Sequence, residues 1–197
     1  MDVSESCPQF NIDIGDGGGQ GTDMNFLTEW IKRKNRKKKI KYLVQNSVKI
    51  GDFTGTSGKK LDYYVDCRPL VANSVTRITI VKGLYDLIEK DKNLIFAGPQ
   101  TAGAILASEM ALFRNTDTII FNLDKHDVIY PYFINLIDKK VILVDDVITT
   151  GYTLQKCIYL IELPIIKIIC IFNRSDLKSI NDIEISSILN YKDIKIG

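Results

Sequence analysis

The sequence predicts an α/β protein with a mostly parallel central sheet flanked by helices, and three observations predict it. Short apolar runs alternate with segments whose apolar residues recur at helical spacing. The run Val141 to Val144 is continuously apolar, as in a strand buried on both faces. It leads directly into two acidic residues and a turn of hydroxyls and glycine, the kind of strand end at which open α/β sheets bind ligands.

Residues 1–22 contain Gly15-Asp-Gly-Gly-Gly-Gln-Gly21, too glycine-dense to order readily, and predict a flexible arm ahead of a single domain at 23–197. A dinucleotide fingerprint fails there because Gln20 stands where the third glycine belongs. Met24 to Val44 predicts a helix capped by Thr22 or Asp23. Val48 to Lys60 reads as turn-rich, and its GTSGKK lacks the first glycine and final hydroxyl of a phosphate-binding Walker loop. Tyr63 to Asp66 is strand-like. Ser74 to Glu89 is helical, with Ile78, Val81, Leu84, Tyr85 and Ile88 on one face. A strand at Asn93 to Ala97 precedes GPQTAG and a small-residue helix through Leu112, and Thr118 to Leu123 is a further strand. A helix after Thr153 and strands at Ile165 to Phe172 and Ile183 to Leu189 complete the alternation.

At 197 residues, 45% hydrophobic and 25% charged, the chain fits one globular domain. Cys7, Cys67, Cys157 and Cys170 are scattered and His126 is the sole histidine, which argues against a Cys/His zinc site and for reduced thiols. No apolar stretch approaches the roughly 20 residues that span a bilayer, so no membrane partner is expected. The acidic start MDVSESCPQF lacks a signal-peptide core, and a cytoplasmic location is expected. The net charge of +2 does not by itself imply a nucleic-acid binder. The basic run Lys32 to Lys41 has no aromatic interleaving, so a solvated face is favoured over nucleic-acid binding.

The chemistry concentrates in Val-Ile-Leu-Val-Asp145-Asp146-Val-Ile-Thr149-Thr150-Gly151-Tyr152-Thr153. A helix opening after this strand offers free amides and a positive dipole end, which suit a phosphate. Thr149, Thr150 and Thr153 add hydroxyl donors, and Gly151 admits close backbone approach. Asp145 and Asp146 beside a phosphate suit ribose hydroxyls or Mg²⁺.

This stretch resembles the signature of type I phosphoribosyltransferases, which use 5-phosphoribosyl-1-pyrophosphate (PRPP). Val48 to Arg68 is similar to the entry segment of orotate phosphoribosyltransferases, and Ile95 to Gly103 to their pyrophosphate loop. The resemblance covers about residues 24 to 195. It implies the type I phosphoribosyltransferase fold with a small hood, PRPP and orotate as substrates, Mg²⁺ with no direct protein ligand, and a homodimer. It implies that Asp145 and Asp146 hold the ribose, that Thr149, Thr150, Gly151, Tyr152 and Thr153 cradle the 5′-phosphate, and that Pro99, Gln100, Thr101, Ala102 and Gly103 present amides to pyrophosphate. Tyr64, Val65, Thr149 and Arg174 would form the base pocket, with the Arg174 guanidinium pairing with the orotate carboxylate. Three departures stand out. Thr56 replaces a usual basic residue, and Ala102 a frequent lysine. The basic catalytic loop is reduced to Lys125 and His126 in a shortened segment. The alternatives are a PRPP-binding protein without turnover, or transfer to another base.

Overall fold

The structure, a computed structural model, describes residues 22–55, 58–89, 91–131 and 136–196. The expected glycine-rich arm lies outside the described residues except for Thr22, where α1 begins, and so does Thr56.

Seven strands form one sheet in the order β5-β4-β3-β6-β7-β9-β8. Its parallel centre is β4 (Thr118–Asn122), β3 (Leu94–Pro99), β6 (Lys140–Ile148), β7 (Ile165–Asn173) and β9 (Ile183–Asn190). The edges, β5 (Asp127–Ile129) and β8 (Ser179–Ile180), run antiparallel. Strand side chains alternate between faces, and here both faces are apolar. Phe96, Ile142, Val144, Ile169 and Ile171 pack in one core with α1 (Thr22–Gln45), α3 (Ser74–Tyr85) and α4 (Ala102–Arg114). Ile95, Ala97, Val141, Leu143, Ile168 and Cys170 pack in a second core with α5 (Tyr152–Leu160). This double burial explains the unbroken apolar run in β6.

A separate antiparallel hairpin, β1 (Val48–Thr54) and β2 (Lys60–Val65), forms the hood. The segment expected to be turn-rich is therefore a strand. Val48, Ile50 and Phe53 pair with Val65, Tyr63 and Leu61, and the register shift between Ile50 and Phe53 accommodates the glycine at 51. The sequence likewise gives no warning of α2 (Arg68–Ala72), one short turn with Pro69 in its first positions, or of β5. The helix expected to reach Glu89 ends at Tyr85.

The basic run is part of α1 and is largely exposed. Ile40 and Val44 enter the core, Arg33 and Arg36 pair with Asp86, and Lys37 lies 3.5 Å from Asp193. Much of the run is thus a solvated face fastened to α3 and the C-terminal segment.

Gly98 and Gly103 let the end of β3 and the start of α4 touch. A Cβ at Gly98 would lie 2.3 Å from the Gly103 carbonyl oxygen, and one at Gly103 would lie 2.7 Å from that of Val144. These are backbone atoms that have nowhere to go. At Gly83 a Cβ would meet only the flexible ends of Ile40 and Ile188. Gly98→Ala is therefore expected to cost about 2 kcal/mol or more by overpacking. Gly83→Ala should cost far less, because alanine recovers about 1 kcal/mol of helix propensity. Urea unfolding of the two variants checks the difference.

Candidate active site

The carboxyl end of β6 carries the two acidic residues. Asp145 is 7% exposed, and its Oδ1 accepts the Asp146 N–H at 2.9 Å. Asp146 is half-buried and its Oδ1 accepts the Val147 N–H at 2.9 Å. Burial raises both carboxyls above the ordinary aspartate range, and for Asp145 the neighbouring Asp146 charge adds to the effect.

Beyond them the chain turns through Thr149 and Thr150 into Gly151, whose φ of +76° begins α5. A Cβ there would meet mainly the flexible end of Ile180, so it is the left-handed backbone conformation that calls for glycine. The Thr150 hydroxyl oxygen accepts the Tyr152 N–H at 3.4 Å. Asp145, Thr149, Thr150, Gly151, Tyr152 and Thr153 together line a small concavity.

That concavity opens between two larger clefts. One, of about 320 Å³, brings Asp145, Asp146, Thr149 and Thr153 together with Pro99, Gln100, Thr101, Ala102 and Tyr64. Within its loop Pro99 has no N–H to offer, and the Gln100 N–H is already donated to the Phe121 carbonyl at 2.9 Å. The amides left for an anion are those of the first turn of α4, beginning near Thr101, which have no acceptor within the helix. Gly103 is buried behind this turn and shapes it.

The other cleft, of about 490 Å³, is lined by Lys59, Lys60, Asp62, Tyr63, Thr149, Thr150 and Arg174. The Arg174 N–H donates to the Ile148 carbonyl at 2.8 Å. Its guanidinium lies 3.7 Å from the centroid of Tyr63, and Nη2 reaches Asp62 Oδ1 at 2.6 Å. Thr149 lines both clefts.

Three expected residues are not brought here. Val65 is 2% exposed and packs in the core, further along the face of β2 that also carries Tyr63. Lys125 and His126 lie in the turn 123–126 that joins β4 directly to β5. His126 faces a different groove, with Leu123, Gln155, Lys156 and Tyr159. Sequence reasoning missed Tyr63, adjacent to the Tyr64 it chose, and also Asp62, Lys59, Lys60 and Arg68. The aromatic pair marked the place, but only the pairing of β2 decides which ring faces Arg174.

No family model matches the chain. Orotate phosphoribosyltransferase from Methanosphaera stadtmanae is 30% identical over 131 residues, 64% of this chain and 74% of that protein. The Methanococcus maripaludis enzyme of the same name is 30% identical over 139 residues, covering 66% and 73%. The chain belongs to the orotate phosphoribosyltransferase family. Solved structures show the fold of this family. Orotate phosphoribosyltransferase from Aeropyrum pernix superposes with a TM-score of 0.64 at 20% identity, over 78% of this chain and 95% of that one. The Mycobacterium tuberculosis enzyme in complex with PRPP gives 0.63 at 17% identity, over 80% and 98%. UMP synthase of Leishmania donovani gives 0.66 at 21%, over 85% of this chain but only 40% of that longer one.

In this family member the raised carboxyls have a consequence for stability. An acid whose proton affinity is higher when folded binds more protons in the native state, so stability falls as pH climbs above about 4 through the raised range. Asn at 145 keeps an acceptor for the Asp146 N–H and removes the charge. Asp145→Asn is expected to melt a few degrees above the parent near pH 7, with the gain vanishing towards about pH 4. Transfer activity should fall at the same time. Thermal unfolding at both pH values checks this.

Proposed function

We propose that the protein transfers the phosphoribosyl group of PRPP to orotate, giving orotidine 5′-phosphate and pyrophosphate in pyrimidine nucleotide synthesis. The observation that carries this reading is the convergence on Thr149 of two clefts. One holds the paired carboxylates and the α4 amides. The other holds Arg174 clamped between Tyr63 and Asp62.

In this reading Asp145 and Asp146 accept hydrogen bonds from the ribose hydroxyls. The turn from Thr149 to Thr153 binds the 5′-phosphate through hydroxyls and the amides that open α5. The first turn of α4 receives pyrophosphate. Arg174 meets the orotate carboxylate, exchanging Asp62 for the substrate, with Tyr63 fixing the guanidinium plane. A ring nitrogen of the base, its proton lost to solvent, bonds to the anomeric carbon as the bond from that carbon to pyrophosphate breaks, and pyrophosphate leaves with the electron pair. Holding both reactants in line accounts for much of the rate, and charge complementarity at the leaving group for the rest.

Mg²⁺ fits this donor set as a substrate-borne ion. Among the described residues no cluster of three acidic, histidine or cysteine side chains could cage a metal, while the Asp145–Asp146 pair offers hard oxygens beside the cleft. Mg²⁺ keeps several waters and prefers one or two carboxylates plus substrate phosphates. When bound it would supply charge neutralisation at the pyrophosphate. We further propose a homodimer in the cytoplasm. The resemblance to a family in which a loop reaches the neighbouring site supports the dimer. Among the described residues no helix is long and apolar enough to cross a membrane.

The short turn at 123–126 favours a second reading, PRPP binding without turnover. Arg174→Ala addresses the first reading. Loss of a charge-assisted pair should raise KM for orotate about 10- to 100-fold, with KM for PRPP little changed. Equal effects on both substrates, or none on orotate, would contradict the assignment. Steady-state kinetics with each substrate varied in turn provides the measurement.

A further inference from the structure

We propose that Arg68 is a catalytic cation that meets the departing pyrophosphate, in the place a basic mobile loop would otherwise serve. The proposal rests on the phosphoribosyl-transfer reading.

Pyrophosphate leaves with several negative charges, so a transferase site needs a cation on that side. Lys59, Lys60 and Arg174 line the other cleft. His126 faces the groove beside α5, and β4 and β5 pair closely on either side of its turn, Asn122 opposite Asp127. Among the described residues, Arg68 is the one cationic side chain lining the cleft that holds Gln100, Thr101, Ala102 and Asp146.

Its mounting suits the task. Arg68 Nε donates to Asp66 Oδ1 at 2.8 Å and Nη2 to Asp66 Oδ2 at 3.1 Å. One edge of the fork is therefore held by a carboxylate only 7% exposed. The Arg68 N–H adds a bond to the same carboxylate at 3.3 Å. Nη1 has no hydrogen-bond partner among the described residues, which leaves the end of the guanidinium for a phosphate, a geometry that arginine matches with two parallel bonds. Asp66 does not cancel the charge, because Lys49 Nζ lies 3.4 Å from its Oδ2, so the trio carries net positive charge. Arg68 lines the same cleft as Tyr64 and the Asp145–Asp146 pair, which places its charge beside the reacting groups. Asp66 is in these terms a positioning residue, and the hood strand β2 delivers both.

The test uses Arg68→Gln, which keeps most of the side-chain length and a donor for Asp66 but drops the charge, together with Arg68→Lys. Titrating the whole protein with inorganic pyrophosphate and Mg²⁺, and separately with ribose 5-phosphate, needs no base. The glutamine variant is expected to bind pyrophosphate about 10- to 100-fold more weakly and ribose 5-phosphate as the parent does. Its kcat should fall about 100-fold, with part restored in the lysine variant. Unchanged pyrophosphate affinity in Arg68→Gln would overturn the assignment. So would equal losses for pyrophosphate and ribose 5-phosphate, which would reveal a purely structural role. A parent that binds pyrophosphate through Arg68 yet transfers to no base would sink the orotate reading while supporting Arg68.

Discussion

The buried carboxylate of Asp145 is the constraint to which the rest of the site answers. It ends the apolar part of β6, between β3 and β7, where Val141 to Val144 are almost wholly excluded from water. Desolvation and the adjacent Asp146 both oppose its ionised form. The fold maintains this by burying apolar surface on both faces of the same strand, with α3 and α4 on one side and α5 on the other.

Around this point two helix openings are built by the same device. Each uses a helix that begins soon after a parallel strand, α4 after β3 and α5 after β6, whose first-turn amides have no acceptor within the helix. Each also relies on glycine. Gly98 and Gly103 close the β3–α4 corner where a side chain would collide, and Gly151 turns the chain into α5. The hood contributes what the sheet cannot. Strand β2 presents Asp62 and Tyr63 to Arg174, and Tyr64 to the carboxylates. It then runs into Asp66 and Arg68, the latter lining the cleft with Gln100, Thr101 and Ala102. One short strand and the residues that follow it thus serve both clefts, with Leu61 lining each.

Locality separates what the sequence disclosed from what it concealed. The β6 strand, its carboxylates and the threonine-glycine turn were legible because all the information is local. Apolar run, acidic pair and helix opening follow one another without interruption. The identity of the hood residues was not local. Tyr63 and Tyr64 are indistinguishable as letters, and only the folded hairpin puts Tyr63 under Arg174 and Tyr64 in the cleft of the carboxylates. Glycines at 51, 55 and 58 masked β1 as a turn, since a bulge admits glycine where a regular strand disfavours it. Lys125 and His126 suggested a catalytic loop by composition, yet the hairpin of β4 and β5 leaves them only residues 123–126 in which to move. Arg68, which among the described residues is the one cation lining the cleft with Gln100, Thr101 and Ala102, was hidden in a helix too short for any periodic signal.

The central claim, that these clefts join PRPP to orotate, is tested most directly by pyrophosphate release. The protein would be supplied with PRPP and Mg²⁺ and offered orotate, uracil and the common purine bases in parallel. Release with orotate alone is the predicted result, since only that base carries the carboxylate that Arg174 is placed to receive. Release with a different base, or silence with every base while PRPP still binds, would contradict it.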